Sequence, residues 1–281
     1  MKSIGSRCNV SIPTVCRILN ATKIHHDSLP CVLSIDEFKG DTDFGKYQCI
    51  ITDPVNKRVF DILPCREEWM LRQYFEKFKD RDHVKFVVID MWKPYYITIK
   101  SLFPNAVIVT DKYHYIRQCY WALEAVRKRV QKDLPTHTRK YFKRSRQILL
   151  CKAEKLSDSS KQKRDIMLSF NHDLYIAYQL KEQFRHVISA SNSYDAKTLL
   201  NDWINDAKIS GIPEFKNCIT AYTNWQVPIL NSFDCTYTNG FTEGINNKIK
   251  VLKRNAFGVK NFYRFRTRIM LTCSKKISCA G

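Results

Sequence analysis

Short runs of β-branched and aromatic residues, separated by polar segments, dominate the chain after its N-terminal segment. Three such runs follow one another: Cys31–Phe38, Lys46–Asp53 and Arg58–Leu63. The two segments between them, residues 40–45 and 54–57, contain the Gly, Asp, Asn and Pro residues that are typical of turns. The pattern therefore predicts an antiparallel meander of three strands.

Helix and strand patterns alternate beyond this meander. Apolar residues at three-and-four spacing predict helices over Glu67–Phe78 and Trp92–Phe103. Short apolar runs predict strands over Val84–Asp90 and Ala106–Thr110. Three antiparallel strands followed by helix, strand, helix and strand is the order of a ribonuclease-H-like core. We therefore expect an α/β fold with a mixed sheet of that class.

The N-terminal segment, residues 4–19, resembles the second half of a helix-turn-helix. Asn9 falls in the expected turn, Ser11 can cap the next helix, and the apolar positions expected to face inward are Val15, Ile18 and Leu19. Few residues precede the turn, so we expect an N-terminally truncated, partial module. Such a segment is expected to be poorly ordered or to pack against a partner chain.

Strand patterns are absent from Lys112 to about Asn231, where long basic amphipathic segments predict an all-helical insertion. Helical patterns resume over Glu243–Leu252 and Asn261–Thr272. The predicted organisation has four parts: a partial helix-turn-helix and linker (1–29), the first part of the core (30–114), the basic helical insertion (115–231) and the closing helices of the core (232–281).

The charge is unusual and unevenly distributed. The formal net charge is +20, and residues 117–164 hold fifteen basic against four acidic residues, while residues 244–281 hold ten basic residues and no acid. Such surfaces are typical of proteins that neutralise phosphates, so a polyanion, DNA first, is the expected partner. A membrane surface is the other possibility, but the longest apolar runs are far too short to span a bilayer. The basic residues expected to hold DNA are Arg127, Lys128, Arg129, Lys140, Lys143, Arg144, Arg146, Lys253 and Arg254.

Cysteine and histidine usage argues against a disulfide framework and a zinc site. The eleven cysteines include no C-x-x-C pair, and the seven histidines form no H-E-x-x-H or H-x-x-x-H cluster. The N-terminus also lacks the apolar stretch of a signal peptide. We expect unpaired thiols in a cytoplasmic protein.

Two aspartates lie where a metal site is expected. Asp36 lies inside an otherwise apolar strand pattern, and Asp90 ends the strand of the predicted core that should neighbour it. A buried carboxylate is costly unless it is paired or binds a metal, and neighbouring carboxylates repel unless a cation bridges them. Hard oxygen ligands suit Mg²⁺ or Mn²⁺. A cap or turn role for either residue is the alternative.

Glu243 is the third acidic candidate. It opens a helical stretch in which Asn246, Asn247 and Lys250 follow at spacings that put all four side chains on one helix face. A carboxylate, two amides and a lysine on one face could serve a metal or a phosphate. From this stretch alone, a simple surface helix explains the pattern equally well.

Four strings of the sequence together carry a family resemblance: SIDEFKG, VVIDMWKPY, FPNAVIVTDKYHYIRQ and TNGFTEGINNKIKVLKRNAFGVKNFYRFRTRIML. In this order, from about Cys31 to Leu271, they resemble the DDE transposases of bacterial insertion sequences, specifically the ISL-three family. The resemblance implies a ribonuclease-H-like core interrupted by a helical insertion. It puts the acidic triad on Asp36, Asp90 and Glu243, the three residues reached above.

Asp111 competes with Asp90 for the second position of the triad. It lies in the string TDKYHY, which resembles the family's aspartate-aromatic-histidine element, with His114 nearby. Because Asp90 ends the strand expected beside the first, we assign the metal ligand there. Asp111, His114, Asn246, Asn247 and Lys250 are then expected to support the ligands or to contact DNA.

The resemblance implies DNA strand cleavage and strand transfer by phosphoryl transfer with two Mg²⁺ or Mn²⁺ ions. The expected partners are transposon ends and target DNA, with a homo-oligomer when active, at the nucleoid. The rival hypothesis is a catalytically inactive, truncated remnant that only binds DNA. Another ribonuclease-H-like nuclease, such as a junction resolvase, fits the long insertion less well. Divalent-metal-dependent cleavage separates the first two hypotheses.

Overall fold

A computed structural model describes residues 2–256 and 258–273. The strands are β1 (Val32–Thr42), β2 (Gly45–Asp53), β3 (Arg58–Leu63), β4 (Phe86–Ile89) and β5 (Val107–Thr110). The helices are α1 (Lys2–Cys8), α2 (Ile12–Ala21), α3 (Glu68–Phe75), α4 (Lys93–Leu102), α5 (Lys112–Asp133), α6 (Ser145–Leu150), α7 (Asp158–Ser169), α8 (His172–Ile188), α9 (Ser193–Ile209), α10 (Lys216–Asn224), α11 (Gln226–Asn231), α12 (Gly240–Asn255) and α13 (Phe262–Cys273). Short 3-10 helices occur at Arg81–His83, Arg139–Phe142, Ala153–Lys155 and Pro213–Phe215.

The chain divides into two compact units. The sheet unit consists of residues 1–111 and 237–281, and the helical unit consists of residues 112–236. All five strands described lie in the sheet unit, and the helical unit, which is described throughout, contains none. The four-part division given above, with bounds at 29, 114 and 231, stays a prediction.

The sheet has the strand order β3-β2-β1-β4-β5. The pairs β1–β2 and β2–β3 are antiparallel, which confirms the predicted meander. The pairs β1–β4 and β4–β5 are parallel, so the first and fourth strands are neighbours as expected. In this register Ile35 lies opposite Ile89, and Ile89 lies opposite Thr110. The mixed sheet thus joins an antiparallel half to a parallel half at β1.

One face of the sheet is covered by α12 and α13. Their apolar residues form a buried cluster with residues of the first three strands: Phe38, Ile50, Val59, Ile62, Ile245, Ile249, Phe262, Phe265, Ile269, Met270 and Cys273. Polar contacts add to this packing at the two ends of α12, where Thr242 contacts the Ser34 hydroxyl and Lys253 donates to the Lys39 carbonyl. Helix α12 therefore runs alongside β1 and is fixed to it at both ends.

The N-terminal helices pack against the sheet unit. The Ser11 side chain caps α2 by accepting the Thr14 N–H at 3.3 Å, as predicted. Val15 and Leu19 are buried, and α2 packs against α13. The prediction for Ile18 is wrong, because its side chain is 56% exposed. Two of the three apolar positions of α2 are therefore buried within this chain.

Aromatic side chains form the centre of the helical unit. The Phe184 and Tyr222 rings stack at 5.0 Å, and the Trp203 ring lies 5.1 Å from Phe184. The polar atoms of these residues are satisfied, since the Trp203 indole donates to the Leu180 carbonyl and the Tyr222 hydroxyl donates to the Tyr115 carbonyl. Burial of such large rings with their polar groups bonded is sufficient to hold α5, α8, α9 and α10 together.

Two expectations about surface chemistry can be compared with the described residues. Ten of the eleven cysteines fall within them, and the four buried ones, Cys49, Cys119, Cys218 and Cys273, are free thiols, as predicted. Among the described helices, none has the length and apolar character needed to cross a membrane.

Candidate active site

Asp36 lies near the middle of β1 and is buried. Its Oδ2 accepts a hydrogen bond from Nδ2 of Asn246 at 2.8 Å, and its Oδ1 accepts from the N–H of Glu37 at 2.7 Å. Residues 34, 36 and 38 share one face of the strand because side chains alternate. This face packs against α12, which explains why a strand carboxylate contacts a helix amide 210 positions later in the sequence.

Asp90 and Asp111 occupy equivalent positions on neighbouring strands. Asp90 follows the last residue of β4, and Asp111 follows the last residue of β5. These strands are parallel, so both aspartates lie at their carboxyl ends, where ligand sites of such sheets occur. The register also gives Asp36 and Asp90 neighbouring positions on β1 and β4.

Asn239 connects these aspartates. Its backbone N–H donates to Oδ1 of Asp111 at 3.1 Å, and its Nδ2 donates to Oδ1 of Asp90 at 3.3 Å. Its side-chain amide oxygen Oδ1 accepts a hydrogen bond from the Ser34 hydroxyl. Asn239 is fully buried immediately before α12. The backbone and the side chain of one residue thereby fix the start of α12 relative to the ends of two strands.

Glu243 lies in the first turn of α12, where the helix dipole favours a negative charge. Carboxylate oxygens of Asp111 and Glu243 lie within 4.8 Å of each other. The neighbouring Thr242 hydroxyl is held by the hydroxyls of Ser34 (2.9 Å) and Thr52 (2.7 Å), which fixes this turn against the sheet. Two carboxylates at this separation repel, and a hard divalent cation relieves that repulsion. The donor set therefore fits Mg²⁺ or Mn²⁺.

The remaining predicted supporting residues have different environments. Asn246 is buried against Asp36, whereas Asn247 and Lys250 are exposed and bond to each other at 3.2 Å. The predicted helix face is therefore split between the sheet and the surface. His114 belongs to the helical unit, in the first turn of α5, with its Nδ1 at 3.4 Å from a guanidinium nitrogen of Arg117.

The basic residues predicted to hold DNA fall into two groups. Arg127 and Arg129 bind acids within the helical unit: Arg127 contacts Glu124 at 2.7 Å, and Arg129 contacts Glu214 at 2.6 Å. The Glu214 hydrogen bond raises the pKa of Arg129, and the Arg127 hydrogen bond lowers the pKa of Glu124. Lys253 is also engaged, with Asp41 at 2.5 Å. The exposed group is Lys128, Lys140, Lys143, Arg144, Arg146 and Arg254.

The sequence patterns did not predict the role of Asn239, nor the contacts of Arg66 with residues that follow Asp36 and Asp90. Arg66 contacts Glu37 at 2.5 Å, and its guanidinium lies 4.5 Å from the ring centre of Trp92. The hydrogen bond that Arg66 donates to the Glu37 carboxylate raises the pKa of Arg66. Glu37 follows Asp36, and Trp92 follows Asp90, each within two residues. The available signal was therefore that each lies in the same sequence string as one of the two aspartates. For Asn239, the signal was an Asn-Gly pair at a predicted helix start.

Comparisons with known proteins agree with this arrangement. The family model for ISL3-type DDE transposases, described as a transposase, matches residues 33–269. The transposase for insertion sequence element IS1001 of Bordetella parapertussis is 28% identical over 239 residues, which cover 82% of this chain and 57% of that protein. The transposase for insertion sequence element IS1557 of Mycobacterium tuberculosis is 25% identical over 255 residues, which cover 81% of this chain and 56% of that protein.

A shorter match of 108 residues, 32% identical, joins 38% of this chain to 33% of a Lactococcus lactis protein named ATP-dependent protease. The chain spans little more than half the length of the two transposases. The family match extends from β1 through α12 and into α13, and so includes all the acidic residues described above. The chain belongs to the ISL-three family of DDE transposases.

Proposed function

We propose that this chain cleaves and joins DNA strands by metal-dependent phosphoryl transfer on a ribonuclease-H-like core. The observation that carries the proposal is the close pair of Asp111 and Glu243 oxygens. Asp111 lies at the carboxyl end of β5, Glu243 lies in the first turn of α12, and β4 separates β5 from the strand that holds Asp36. The strand order supports the core assignment, since three antiparallel strands lead into two parallel ones. Cleavage at transposon ends and transfer into target DNA are the family's chemistry.

Asp36 and Glu243 are the proposed first and last members of the triad, and two aspartates compete for the middle position. The sequence favoured Asp90, which neighbours Asp36 in the register. The distance of at most 4.8 Å between Asp111 and Glu243 oxygens favours Asp111. We propose Asp111 as the metal ligand on this geometry, with Asp90 close beside it as the alternative.

The proposed ligands are held by neutral hydrogen-bond donors. Asn246 orients the Asp36 carboxylate, and Asn239 holds both Asp90 and Asp111. When bound, two Mg²⁺ or Mn²⁺ ions supply an activated attacking oxygen and stabilise the leaving oxygen of the in-line displacement. The residues of this chain contribute fixed oxygen ligands, which reduces the reorganisation needed during the reaction.

The exposed basic residues of the helical unit are the proposed contacts to DNA phosphates. Lys128 and Arg146 are mostly exposed, and Lys140, Lys143 and Arg144 form a further exposed group. Such contacts position DNA without reading its sequence. A homo-oligomer acting on DNA at the nucleoid is part of the proposal.

The test is cleavage of labelled plasmid DNA by the purified chain with Mg²⁺, with Mn²⁺ and with a chelator. We expect metal-dependent nicking of the plasmid DNA. The Asp36→Asn variant should lose nicking, while Asp82→Asn, at an exposed site, should keep it. Binding without nicking under every metal condition would favour the inactive, DNA-binding rival. Nicking that survives Asp36→Asn would contradict the proposed chemistry.

A further inference from the structure

A basic pocket lies in the helical unit. Its residues are separate in the sequence from the acidic residues of the sheet unit. It is formed by the 3-10 helix Arg139–Phe142, the two residues that follow it, and α7. Its volume is about 360 Å³. Its lining residues are Lys140, Tyr141, Lys143, Arg144, Lys163 and Ile166.

Local packing holds the wall of this pocket in place. Phe142 is buried, and its ring lies 6.2 Å from the Phe170 ring, while the Tyr141 ring lies 5.6 Å from the same phenylalanine. Arg144 has a left-handed backbone conformation, with φ of 61°, and α6 begins at the next residue. The chain therefore makes a sharp, anchored turn at the pocket rather than a loose loop.

The charge of the lining indicates an anionic ligand. Four of the six lining side chains are cations, and none of the six is an acid. Four like charges around one concave space repel each other, and a bound phosphate relieves that repulsion. One of the cations, the Lys140 ammonium, also lies 5.1 Å from the ring centre of Tyr141.

The other two lining side chains indicate that the ligand has an apolar face as well. Tyr141 and Ile166 are each 42% exposed. A site for phosphate alone does not require exposed aromatic and aliphatic surface. A nucleotide has both a phosphate and a flat base, and the pocket volume lies at the small-ligand end of the range of about 300–1,000 Å³.

We propose that this pocket binds one nucleotide of single-stranded DNA, with the phosphate on the cations and the base on Tyr141. In a duplex the base faces are stacked on each other, so a ring can receive a base only from an unpaired strand. The inference rests on the proposed function, since it takes DNA as the substrate of the chain. It adds a preference for unpaired strands, which phosphate contacts alone do not provide.

The test is fluorescence anisotropy of the full chain with a labelled single strand and with the duplex of the same sequence. Tyr141→Ala should weaken single-strand binding by roughly 5- to 150-fold, the range given by about 1–3 kcal/mol of stacking, and leave duplex binding unchanged. Tyr141→Phe keeps the ring and should keep the affinity. Tyr194→Ala removes a tyrosine that is 81% exposed elsewhere in the helical unit and serves as the matched control.

Lys163→Ala should weaken single-strand binding and reduce its salt dependence by about one phosphate contact. Equal losses on both DNA forms with Tyr141→Ala, or no loss on either, would overturn the pocket assignment. DNA cleavage is measured separately. If the chain nicks DNA but Tyr141→Ala does not change single-strand binding, only this inference is wrong. A chain with the Tyr141 effect but without nicking keeps the pocket and loses the proposed catalysis.

Discussion

Acidic side chains have different partners in the two units. In the sheet unit, Asp36 and Asp90 accept hydrogen bonds from the neutral amides of Asn246 and Asn239. In the helical unit, several acids contact arginines, among them Glu124 with Arg127 and Glu154 with Arg185. A neutral donor fixes the position of a carboxylate without contributing charge, whereas a guanidinium neutralises it. In these examples, amides position two aspartates of the sheet unit, and guanidinium groups neutralise two glutamates of the helical unit.

Asp61 shows that this difference belongs to the site and not to the whole sheet unit. It is also a buried strand carboxylate, but Arg266 binds both of its oxygens and the Tyr74 hydroxyl donates to it. Because Arg266 binds both of its oxygens, Asp61 has a cationic partner, as Glu124 and Glu154 have in the helical unit. Buried strand carboxylates of the sheet unit therefore have two kinds of partner, an amide at Asp36 and an arginine at Asp61.

The largest expected effect is the difference in nicking between substitutions of Asp111 and of Asp90. Asp111→Asn keeps the shape of the side chain and removes its charge, so we expect loss of metal-dependent nicking. Asp90→Asn should lower nicking by about 10- to 100-fold, the usual effect of a residue that supports a ligand. The measurement is the nicking rate of each variant over a Mn²⁺ titration. The reverse order would restore Asp90 as the ligand that the sequence predicted.

The second effect concerns the helical unit and its exposed cations. If the chain contacts about 6–10 phosphates, duplex affinity should fall by about 10³- to 10⁵-fold between about 50 and 200 mM salt. The measurement is the dissociation constant by anisotropy over that range. A flat salt dependence would remove the role of the basic residues as phosphate contacts.

A third, smaller effect distinguishes two adjacent basic residues. The Arg127 side chain is 12% exposed and paired with Glu124, whereas the Lys128 side chain is 68% exposed. Arg127→Ala leaves Glu124 without that partner, so we expect a loss of about 1–3 kcal/mol in the free energy of unfolding. Lys128→Ala should leave stability unchanged and reduce the salt slope of DNA binding by about one.

Urea unfolding and anisotropy on both variants measure these two quantities. If Arg127→Ala weakened DNA binding more than Lys128→Ala without loss of stability, the structural assignment of Arg127 would be wrong. The sequence prediction that both residues contact DNA would then be favoured.

The smallest effect is a pH dependence of the sheet unit. Burial lowers the pKa of His26 below its ordinary value of 6.5, where its ring stacks on Phe60 at 4.2 Å. The unfolded chain then binds more protons than the folded chain below about pH 6.5, so the free energy of unfolding falls as the pH falls. His26→Gln should show a smaller decrease between about pH 7.5 and about pH 5.5 in urea unfolding. An equal decrease in both proteins would exclude His26 as a contributor.

Strand and helix patterns in the sequence predicted most of the sheet unit, because its elements bury regular apolar faces. The predicted strand over Val84–Asp90 is shorter in the structure, Phe86–Ile89, which leaves Asp90 just beyond the strand end. The prediction for Ile18 was wrong because a helix pattern shows which face is apolar but does not show how much of that face another element covers. Its neighbours Val15 and Leu19 are buried against an element some 240 residues later.

The site was predictable in its residue types and less so in its pairings. Two of the site residues can be recognised in the sequence. Asp36 stands out because a charge inside an apolar run is costly, and Glu243 stands out because it lies at a helix start. No local pattern shows that Asn239 reaches two strand ends, because that contact depends on how α12 meets the sheet. In the same way, Arg127 and Lys128 are equivalent in the sequence, and only the fold shows that Arg127 contacts Glu124 at 2.7 Å while Lys128 is 4.0 Å from it and mostly exposed.

The order of the elements along the chain also has a consequence for synthesis on the ribosome. Strands β1 to β5 precede the helical unit, whereas α12 and α13, which cover one face of the sheet, follow it. At about 5–20 residues per second, translation of residues 112–236 takes about 6–25 s. During that interval the nascent sheet lacks its cover and Glu243 does not yet exist. The proposed metal site, which requires this residue, can therefore form only after the whole helical unit has been translated.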